Sequence, residues 1–270
     1  MSKTKGCFIT ILTIFILAVL ALLCVFLTDL NPIGKNMLIL GIDRRQGSSE
    51  LTDTIIIYHI SKWGEKDSLI SIPRDTRVNL DGYGWNKINA SYLYGGEEMI
   101  KKEIYELTGI ETDRFIIIDF SAFEEIIDIL GGVEVVVEEH LHDPLSEADF
   151  NPGTYTMSGK QALSFARCRA TAGGDFDRIA RQQYLINEII KQKFNFSIIG
   201  MAPQIIEVLN ERTQTDFTIW DFCSIGFMLL FSGGDMNRVT IPTVSDYIDN
   251  ISFQIAEEEE VKEFLSDYLK

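Results

Sequence analysis

Four arginines fall within fifteen residues of this chain, and carboxylates and amides lie beside them. A guanidinium group is planar and permanently charged, and it binds phosphate oxygens through paired hydrogen bonds. The residues of this stretch that carry such chemistry are Arg167, Arg169, Asp175, Arg178, Arg181 and Gln182. Two interpretations are open for them: a phosphate-binding site, or a set of surface ion pairs with the neighbouring aspartates.

The spacing of these residues indicates how they are presented. A helix that begins near Asp177 brings Arg178, Arg181 and Gln182 to one face, because positions three and four apart are neighbours on a helix. The Gly-Gly turn at residues 173–174 lets the arginines at the end of the preceding helix fold toward that face. The spacing therefore predicts one cationic cluster built from two helices.

A second group of charged residues stands where strands are predicted to begin or end. It comprises Asp43, Arg44 and Arg45 after one strand, Asp53 at the start of the next, Arg74 and Asp75 after the third, and Lys87 beyond a Gly-rich loop. Ligands bind layered α/β sheets at the loops beyond strand ends. Aspartates beside an anionic phosphate require a hard cation such as Mg²⁺ between them. The simpler interpretation is that these residues are caps and turn formers.

These residues must be positioned by an alternating series of strands and helices. Strands are predicted at 37–42, 54–60, 68–72, 115–119, 133–137 and 238–241, and helices at 97–107, 121–130, 158–168, 177–194, 199–213, 218–231 and 257–269. Ser121 and Ser158 are the predicted N-caps of two of these helices. Continuous β-branched runs such as 55–57 suit strands buried on both faces. The pattern predicts an α/β fold: a three-layer α-β-α body around a central, mostly buried mixed β-sheet.

The overall charge excludes some classes of partner. The chain has 270 residues, 46% of them hydrophobic, which excludes a disordered protein. The formal net charge is −16, and the residues after position 27 hold 22 basic and 40 acidic side chains. Such a body repels nucleic acid phosphates over its surface as a whole. We therefore expect no nucleic acid partner.

The N-terminus has the pattern of a membrane anchor. Residues 7–27 carry no charge, and about 31 Å of helix is enough to cross a hydrocarbon core of about 30 Å. Lys3 and Lys5 precede this run, so the positive-inside rule predicts that residues 1–6 are cytoplasmic. The sequence predicts one transmembrane signal anchor at 7–27, a linker at 28–35 and an extracellular domain at 36–270. The predicted location is the cell membrane, in single-pass topology.

At the charged positions the sequence resembles the LytR-CpsA-Psr (LCP) family of bacterial cell-envelope proteins. The resemblance covers about residues 35–195. Its motifs are residues 36–43, Thr52-Asp53-Thr54, Ser71-Ile72-Pro73-Arg74-Asp75-Thr76, Lys87-Ile88-Asn89-Ala90, Ile129-Leu130-Gly131-Gly132-Val133 and the run from Ala162 to Gln183. One position departs from the pattern, because Leu51 stands where the family often has an arginine.

The resemblance implies a reaction and a set of roles. Members transfer a glycopolymer from a polyprenyl-pyrophosphate carrier to peptidoglycan, at the C6 hydroxyl of N-acetylmuramic acid, and form a phosphodiester. Carried over residue by residue, this implies Asp43 and Asp53 as ligands of Mg²⁺, with Mn²⁺ as an alternative. The catalytic residues would be Arg74, Asp75, Asp175 and Arg178, and the substrate-binding residues Arg45, Lys87, Arg167, Arg169, Arg181 and Gln182. The family encloses the prenyl chain in an apolar channel, for which segments 126–130 and 227–231 are candidates.

Three other functions compete with transfer. A Mg²⁺-dependent hydrolase would use the same residues to release the lipid phosphate to water. A non-catalytic scaffold would bind the lipid without turnover. Transcriptional attenuation is disfavoured by the acidic body and the predicted outward orientation.

Overall fold

A computed structural model describes residues 35–44, 51–62, 65–231 and 234–269, together with the isolated positions 13 and 16. The predicted anchor at 7–27, apart from positions 13 and 16, lies outside the described residues, as do Arg45 and most of the predicted linker. Among the residues that the structure describes, no helix combines the length and the apolar character needed to cross a membrane.

Fourteen strands and seven α-helices are formed within the described residues. The strands are β1 Asn36–Ile42, β2 Thr52–His59, β3 Ser68–Ser71, β4 Arg77–Leu80, β5 Gly84–Lys87, β6 Arg114–Asp119, β7 Val133–Val137, β8 Leu141–Asp143, β9 Ala148–Phe150, β10 Gly153–Met157, β11 Thr213–Thr215, β12 Asn237–Thr240, β13 Val244–Ile248 and β14 Ile251–Ile255. The helices are α1 Ser91–Thr108, α2 Phe120–Ile129, α3 Gly159–Arg167, α4 Asp175–Lys193, α5 Ile198–Arg212, α6 Ile219–Phe231 and α7 Glu258–Leu265.

The central sheet has six strands in the order β11-β6-β1-β2-β3-β12. Strand β1 pairs antiparallel with β2 and parallel with β6, and β3 pairs parallel with β12, so the sheet is mixed as predicted. The β-branched run of β2 is at its centre, and Ile55, Ile56 and Ile57 are all buried. Strand β7 was predicted correctly, but it pairs with β10 outside this sheet.

Helices cover both faces of the sheet, which confirms the three-layer prediction. On one face, Ile104 of α1 and Leu265 of α7 belong to the same buried cluster as Leu38 and Leu40 of β1. On the other face, Ile190 of α4 and Leu229 of α6 cluster with Met37, Ile56 and Leu69. Alternate residues of each central strand thus face opposite helical layers.

Two helix starts differ in part from the predictions. Gly96 has non-helical backbone angles (φ +65°, ψ −153°) and divides α1 into two helical segments, so the second segment follows Gly96 as predicted and only the short segment from Ser91 was missed. Helix α2 is capped by Asp119, whose carboxylate accepts the Ala122 N–H, and not by the predicted Ser121. The cap at Ser158 is confirmed, since its backbone N–H donates to Gln161 in a capping box.

A buried carboxyl group in α1 makes the stability of the fold depend on pH. Glu103 is buried, and its Oε1 has no hydrogen-bond partner among the described residues. Burial, together with the nearby Glu106, raises the pKa of Glu103 from 4.5 to about 7. The folded state therefore keeps a proton that the unfolded chain releases, so stability falls as pH rises from about 4.5 to 7 and then levels off.

Replacing Glu103 by glutamine removes this dependence, because the amide is neutral at every pH. We expect Glu103→Gln to raise the free energy of unfolding at pH 8 by about 2–3 kcal/mol, with little change at pH 4.5. Urea unfolding at the two pH values measures the difference. Glu98→Gln, an exposed position of the same helix, serves as the control. If the free energy of unfolding of Glu103→Gln changed between pH 4.5 and pH 8 as much as that of the wild type, the assignment would be contradicted.

Candidate active site

Three arginines and two aspartates converge at one end of the central sheet. The Asp53 Oδ1 atom forms an ion pair with Arg74 and lies 3.6 Å from Arg169 Nη2 and 3.9 Å from Arg178 Nη1. The Asp175 Oδ1 atom lies 3.8 Å from Arg74 Nε, 3.4 Å from Arg169 Nε and 3.0 Å from Arg178 Nη2. We call these five residues the arginine cluster. Each carboxylate thus contacts all three guanidinium groups.

A β-bulge directs Asp53 into the cluster. Ile42 pairs with Thr52 and Gly41 with Thr54, so Asp53 is the extra residue of β2 at this point. A bulge bends the strand and redirects the side chain of the extra residue. Gly41 allows the two strands to approach here, because a Cβ atom at this position would lie only 2.9 Å from the Thr54 Cβ.

Helix α4 places Arg178 and Asp175 on the other side of the cluster. Gly174 precedes the helix with φ +56°, a conformation that favours glycine. The buried Gln183 fixes the helix against the sheet, since its Nε2 donates to Leu69 O, Ser71 Oγ and Val239 O at 3.3, 2.8 and 2.7 Å. The sequence contains Gln183 in the arginine-rich run, but its anchoring role depends on β3 and β12 and was missed.

Three buried polar atoms of the cluster, Arg74 Nε, Arg178 Nε and Asp175 Oδ1, make no hydrogen bond among the described residues. Arg178 is only 2% exposed. Burial lowers the pKa of Arg178 to about 10, with Asp175 opposing this shift and the neighbouring Arg169 and Arg74 adding to it. The group therefore stays charged at neutral pH. Buried unpaired donors on positive groups favour an anionic ligand with several oxygens.

The cluster opens into a cavity of about 310 Å³. Predicted site residues on its wall are Asp53, Arg167, Arg169, Arg178 and Gln182. An adjoining cavity of about 250 Å³ shares Phe120, Ser146 and Arg167 with it. The Arg167 guanidinium lies 4.7 Å from the Phe120 ring centroid, so the wall combines positive charge with an aromatic surface.

Asp75 and Lys87 extend the site on the side of Arg74. Lys87 Nζ lies 2.8 Å from Asp75 Oδ1, and Arg74 Nε lies 4.0 Å from Asp75 Oδ2. The backbone of this loop is fixed from a distant part of the chain, since the Gln254 N–H donates to Asp75 O at 2.9 Å. No site residue was predicted after about residue 200, so this support from β14 was missed.

The remaining predicted residues have other surroundings. The structure does not bring Arg181 into the cluster, because its Nη2 donates to Cys168 O at 2.5 Å and to Thr171 Oγ1 at 3.4 Å. Arg181 thus fixes the loop that carries Arg169. Asp43 directly follows β1, at the end of the sheet where Asp53 begins its strand. Arg45 lies outside the described residues.

Comparison with known proteins places the chain in a family. The model of the LytR_cpsA_psr family matches residues 29–269. The chain belongs to the LytR_cpsA_psr family. It is 31% identical over 242 residues to the "Polyisoprenyl-teichoic acid--peptidoglycan teichoic acid transferase TagU" of Oceanobacillus iheyensis, which covers 86% of this chain and 74% of TagU.

Other relatives carry different names. The chain is 36% identical over 175 residues to the "Probable cell wall biosynthesis protein LcpB" of Corynebacterium glutamicum, but it spans only 42% of that protein and the match covers 59% of this chain. The "Regulatory protein MsrR" of Staphylococcus aureus (strain COL) is 30% identical over 220 residues, which is 80% of this chain and 67% of MsrR.

Solved structures have the same fold. The crystal structure of B. subtilis TagV superposes with a TM-score of 0.74 and 26% identity, covering 87% of this chain and 96% of TagV. The structure of TagT bound to LIIa-WTA gives a TM-score of 0.70 at 20% identity, covering 89% and 92% of the two chains. At that identity the likeness to TagT shows the fold alone.

The metal-binding prediction can be compared with the donors that this LytR_cpsA_psr chain offers. The residues that the structure describes contain no group of three or more His, Cys, Asp or Glu side chains arranged to hold a metal ion. The predicted ligands are only two carboxylates, Asp43 and Asp53, at one end of the β1–β2 pair. Two carboxylates completed by phosphate oxygens suit Mg²⁺, which does not require a full set of protein ligands. In this structure Asp53 Oδ1 already contacts Arg74, Arg169 and Arg178, so a bound ion would share this carboxylate with three guanidinium groups.

One further residue of this LytR_cpsA_psr chain, Asp143, contributes to the site. Asp143 lines the cavity and accepts hydrogen bonds from the N–H groups of Arg169 at 2.9 Å and Leu145 at 3.0 Å. Burial raises the pKa of Asp143, but these hydrogen bonds outweigh it and lower the pKa below its usual value. The ionised Asp143 thus positions the Arg169 backbone. Its place before Pro144 was the one signal in the sequence that could have indicated it.

The two segments predicted to line a lipid channel, 126–130 and 227–231, do not line either of the two cavities. Ile127 and Leu130 are buried in the core, and Phe227 is exposed on the surface of α6. Leu51, at the position where the family often has an arginine, packs against the core cluster under α1. The apolar walls of the two cavities come instead from Phe120, Leu145 and Leu163.

Proposed function

We propose that this protein transfers a glycopolymer from a polyprenyl-pyrophosphate carrier to peptidoglycan. The observation that carries the proposal is the arginine cluster, in which three guanidinium groups meet two carboxylates and two of the arginines, Arg169 and Arg178, line a cavity. A pyrophosphate has enough oxygens to accept from several guanidinium groups at once. The family membership and the name of the relative TagU support the same function.

The reaction needs an oxygen nucleophile and a stabilised leaving group. The C6 hydroxyl oxygen of N-acetylmuramic acid attacks the phosphorus that bears the polymer, and the bond to the bridging oxygen of the pyrophosphate breaks. Polyprenyl phosphate leaves with the electron pair, and the hydroxyl proton goes to a base. Arg74, Arg169 and Arg178 hold the phosphate oxygens and stabilise the charge that develops on the leaving group.

Asp175 and Asp75 have different roles in this proposal. Asp175 contacts all three guanidinium groups and orients them. Asp75 contacts Lys87 and lies at the edge of the cluster, and we propose that it is the base that accepts the proton of the acceptor hydroxyl. Arg167 and Gln182 bind the substrate along the cavity wall. Mg²⁺ or Mn²⁺, held by Asp43 and Asp53, would neutralise phosphate charge.

We further propose that the apolar segment 7–27 anchors the protein in the cell membrane as a single span. Residues 1–6 would then be cytoplasmic and the domain from residue 36 extracellular, next to both substrates. The positive-inside pattern supports this orientation. Within the domain, the apolar walls of the two cavities would receive the first isoprene units of the carrier.

Reconstitution of the full chain tests the function against its alternatives. The purified protein in vesicles is incubated with polyprenyl-pyrophosphate-linked glycopolymer and peptidoglycan, with Mg²⁺ or with a chelator. We expect covalent polymer attachment that falls at least about 100-fold on chelation and returns with Mg²⁺ or Mn²⁺. Free polymer phosphate formed without acceptor would identify a hydrolase. Lipid binding without turnover in any condition would identify a scaffold.

A further inference from the structure

Three aromatic side chains are exposed on the β4–β5 hairpin and at the start of α1. Tyr83 and Trp85 of the β4–β5 hairpin are 52% and 59% exposed, and Tyr94 in the first turn of α1 is 41% exposed. The rings of Tyr83 and Tyr94 stack with centroids 4.2 Å apart and an interplanar angle of 11°. We call these three residues the aromatic platform. The three rings are exposed while Val78 and Leu80 of the β4–β5 hairpin are buried in the core, so the packing of the core does not account for the rings.

The indole of Trp85 is held in place from one side. The Arg77 guanidinium lies 4.2 Å from its ring centroid, and the same guanidinium lies 5.7 Å from the Phe253 ring. Such a contact fixes the orientation of the ring and covers one of its faces. Trp85 nevertheless remains 59% exposed. A ring that is already ordered loses little entropy when a ligand stacks on it.

One residue of the platform, Trp85, lies close to the reactive residues. Trp85 and Lys87 lie two positions apart in β5, so their side chains point to the same side of the hairpin, about 7 Å apart along the strand. Lys87 contacts Asp75, the residue to which we assign the acceptor's proton. Asn79 pairs directly with Trp85 across the hairpin and is also exposed. An aromatic face with an amide beside it therefore leads to the edge of the arginine cluster.

We propose that the aromatic platform binds the sugar rings of the acceptor, a glycan strand of N-acetylated hexoses. A pyranose ring presents an apolar C–H face, which stacks on an aromatic ring, and hydroxyl and acetamido groups at its edge, which bond to an amide such as Asn79. The donor's pyrophosphate and lipid match the cationic cavity instead. This inference rests on the proposed function, because it assigns a place to the second substrate of that reaction.

Direct binding tests the platform without any transfer reaction. Full-length protein in detergent, with no donor and no metal, is titrated with peptide-free peptidoglycan glycan strands. We expect Trp85→Ala and Tyr94→Ala to weaken binding about five- to ten-fold, and Trp85→Phe to restore most of it. Tyr105→Ala is the matched control, since Tyr105 is 55% exposed on the same helix and about 16 Å along it from Tyr94.

Kinetics then separate a platform from a merely structural hairpin. In the transfer assay, Trp85→Ala should raise KM for the acceptor and leave KM for the donor unchanged. Equal glycan affinity in wild type, Trp85→Ala and Tyr94→Ala would overturn the inference, as would a rise in donor KM instead of acceptor KM. Glycan binding by the wild type with no transfer would contradict the proposed function and leave the platform standing.

Discussion

Replacing Arg178 by alanine is expected to lower the rate of glycopolymer transfer about 1,000-fold. Arg178 is the most deeply buried member of the arginine cluster, and it contacts both Asp53 and Asp175. In a site with little water, a positioned positive charge stabilises a developing negative charge far more than in solvent. Its loss therefore affects the transition state more than the binding of the ground state, and kcat should fall more than KM rises.

A second substitution at this position separates charge from geometry. Arg178→Lys keeps the positive charge but loses the planar set of donors, so we expect an intermediate loss of about 100-fold. Arg212→Ala is the control, because Arg212 forms a half-exposed ion pair with Glu125 on the surface. The three variants are compared by their initial rates of transfer from the lipid-linked donor. A transfer rate within a factor of two or so of the wild type in Arg178→Ala would refute the assignment.

Replacing Asp175 by asparagine is expected to destabilise the folded protein by about 2–4 kcal/mol. The substitution leaves three guanidinium groups close together and removes the carboxylate that each of them contacts. Arg178 cannot move its charge into water, since it is buried. The asparagine amide retains the shape of the aspartate side chain, so the loss of stability measures the electrostatic repulsion among the three guanidinium groups.

Binding of an anion should restore the stability that Asp175→Asn loses. In the variant the cluster has a larger positive charge, so inorganic pyrophosphate should raise the Tm of Asp175→Asn more than that of the wild type. Thermal unfolding with and without pyrophosphate, at constant ionic strength, measures the difference. Asp149→Asn is the control, because Asp149 is an exposed aspartate near His140 and His142 in the hairpin of β8 and β9. Equal shifts in wild type and Asp175→Asn would contradict the assignment of Asp175 as the carboxylate that balances the cluster, and no shift in either protein would show that the cluster does not bind the anion.

Much of the framework could be predicted because its signals are local. The run of β-branched residues in β2 and the helical spacing in α4 are set by neighbouring residues, and the structure has both elements where they were expected. The short strands β4, β5, β8, β9, β10, β11, β13 and β14 were missed. Each has three to five residues and pairs through backbone hydrogen bonds with a partner that the strand's own sequence does not specify.

The site was predicted less completely than the fold. Arg178, Arg181 and Gln182 were assigned to one face of a helix, but only Arg178 and Gln182 reach the cavity, while Arg181 donates to the Cys168 carbonyl. A long arginine side chain has several acceptors within reach, and the loop that folds over α4 decides which of them it uses.

The sequence by itself determined that this chain has an acidic body, a mixed α/β core and arginines suited to phosphate. Net charge follows from composition alone, and the periodicity that predicts strands and helices depends only on residues a few positions apart. The tertiary structure decided that Asp53, from a bulge in β2, meets Asp175, from the start of α4, among the same three arginines. It also decided that Trp85 is exposed on β5, two residues before Lys87. Such encounters join residues far apart in the chain, and they depend on how the strands pair and the helices pack, which no local pattern encodes.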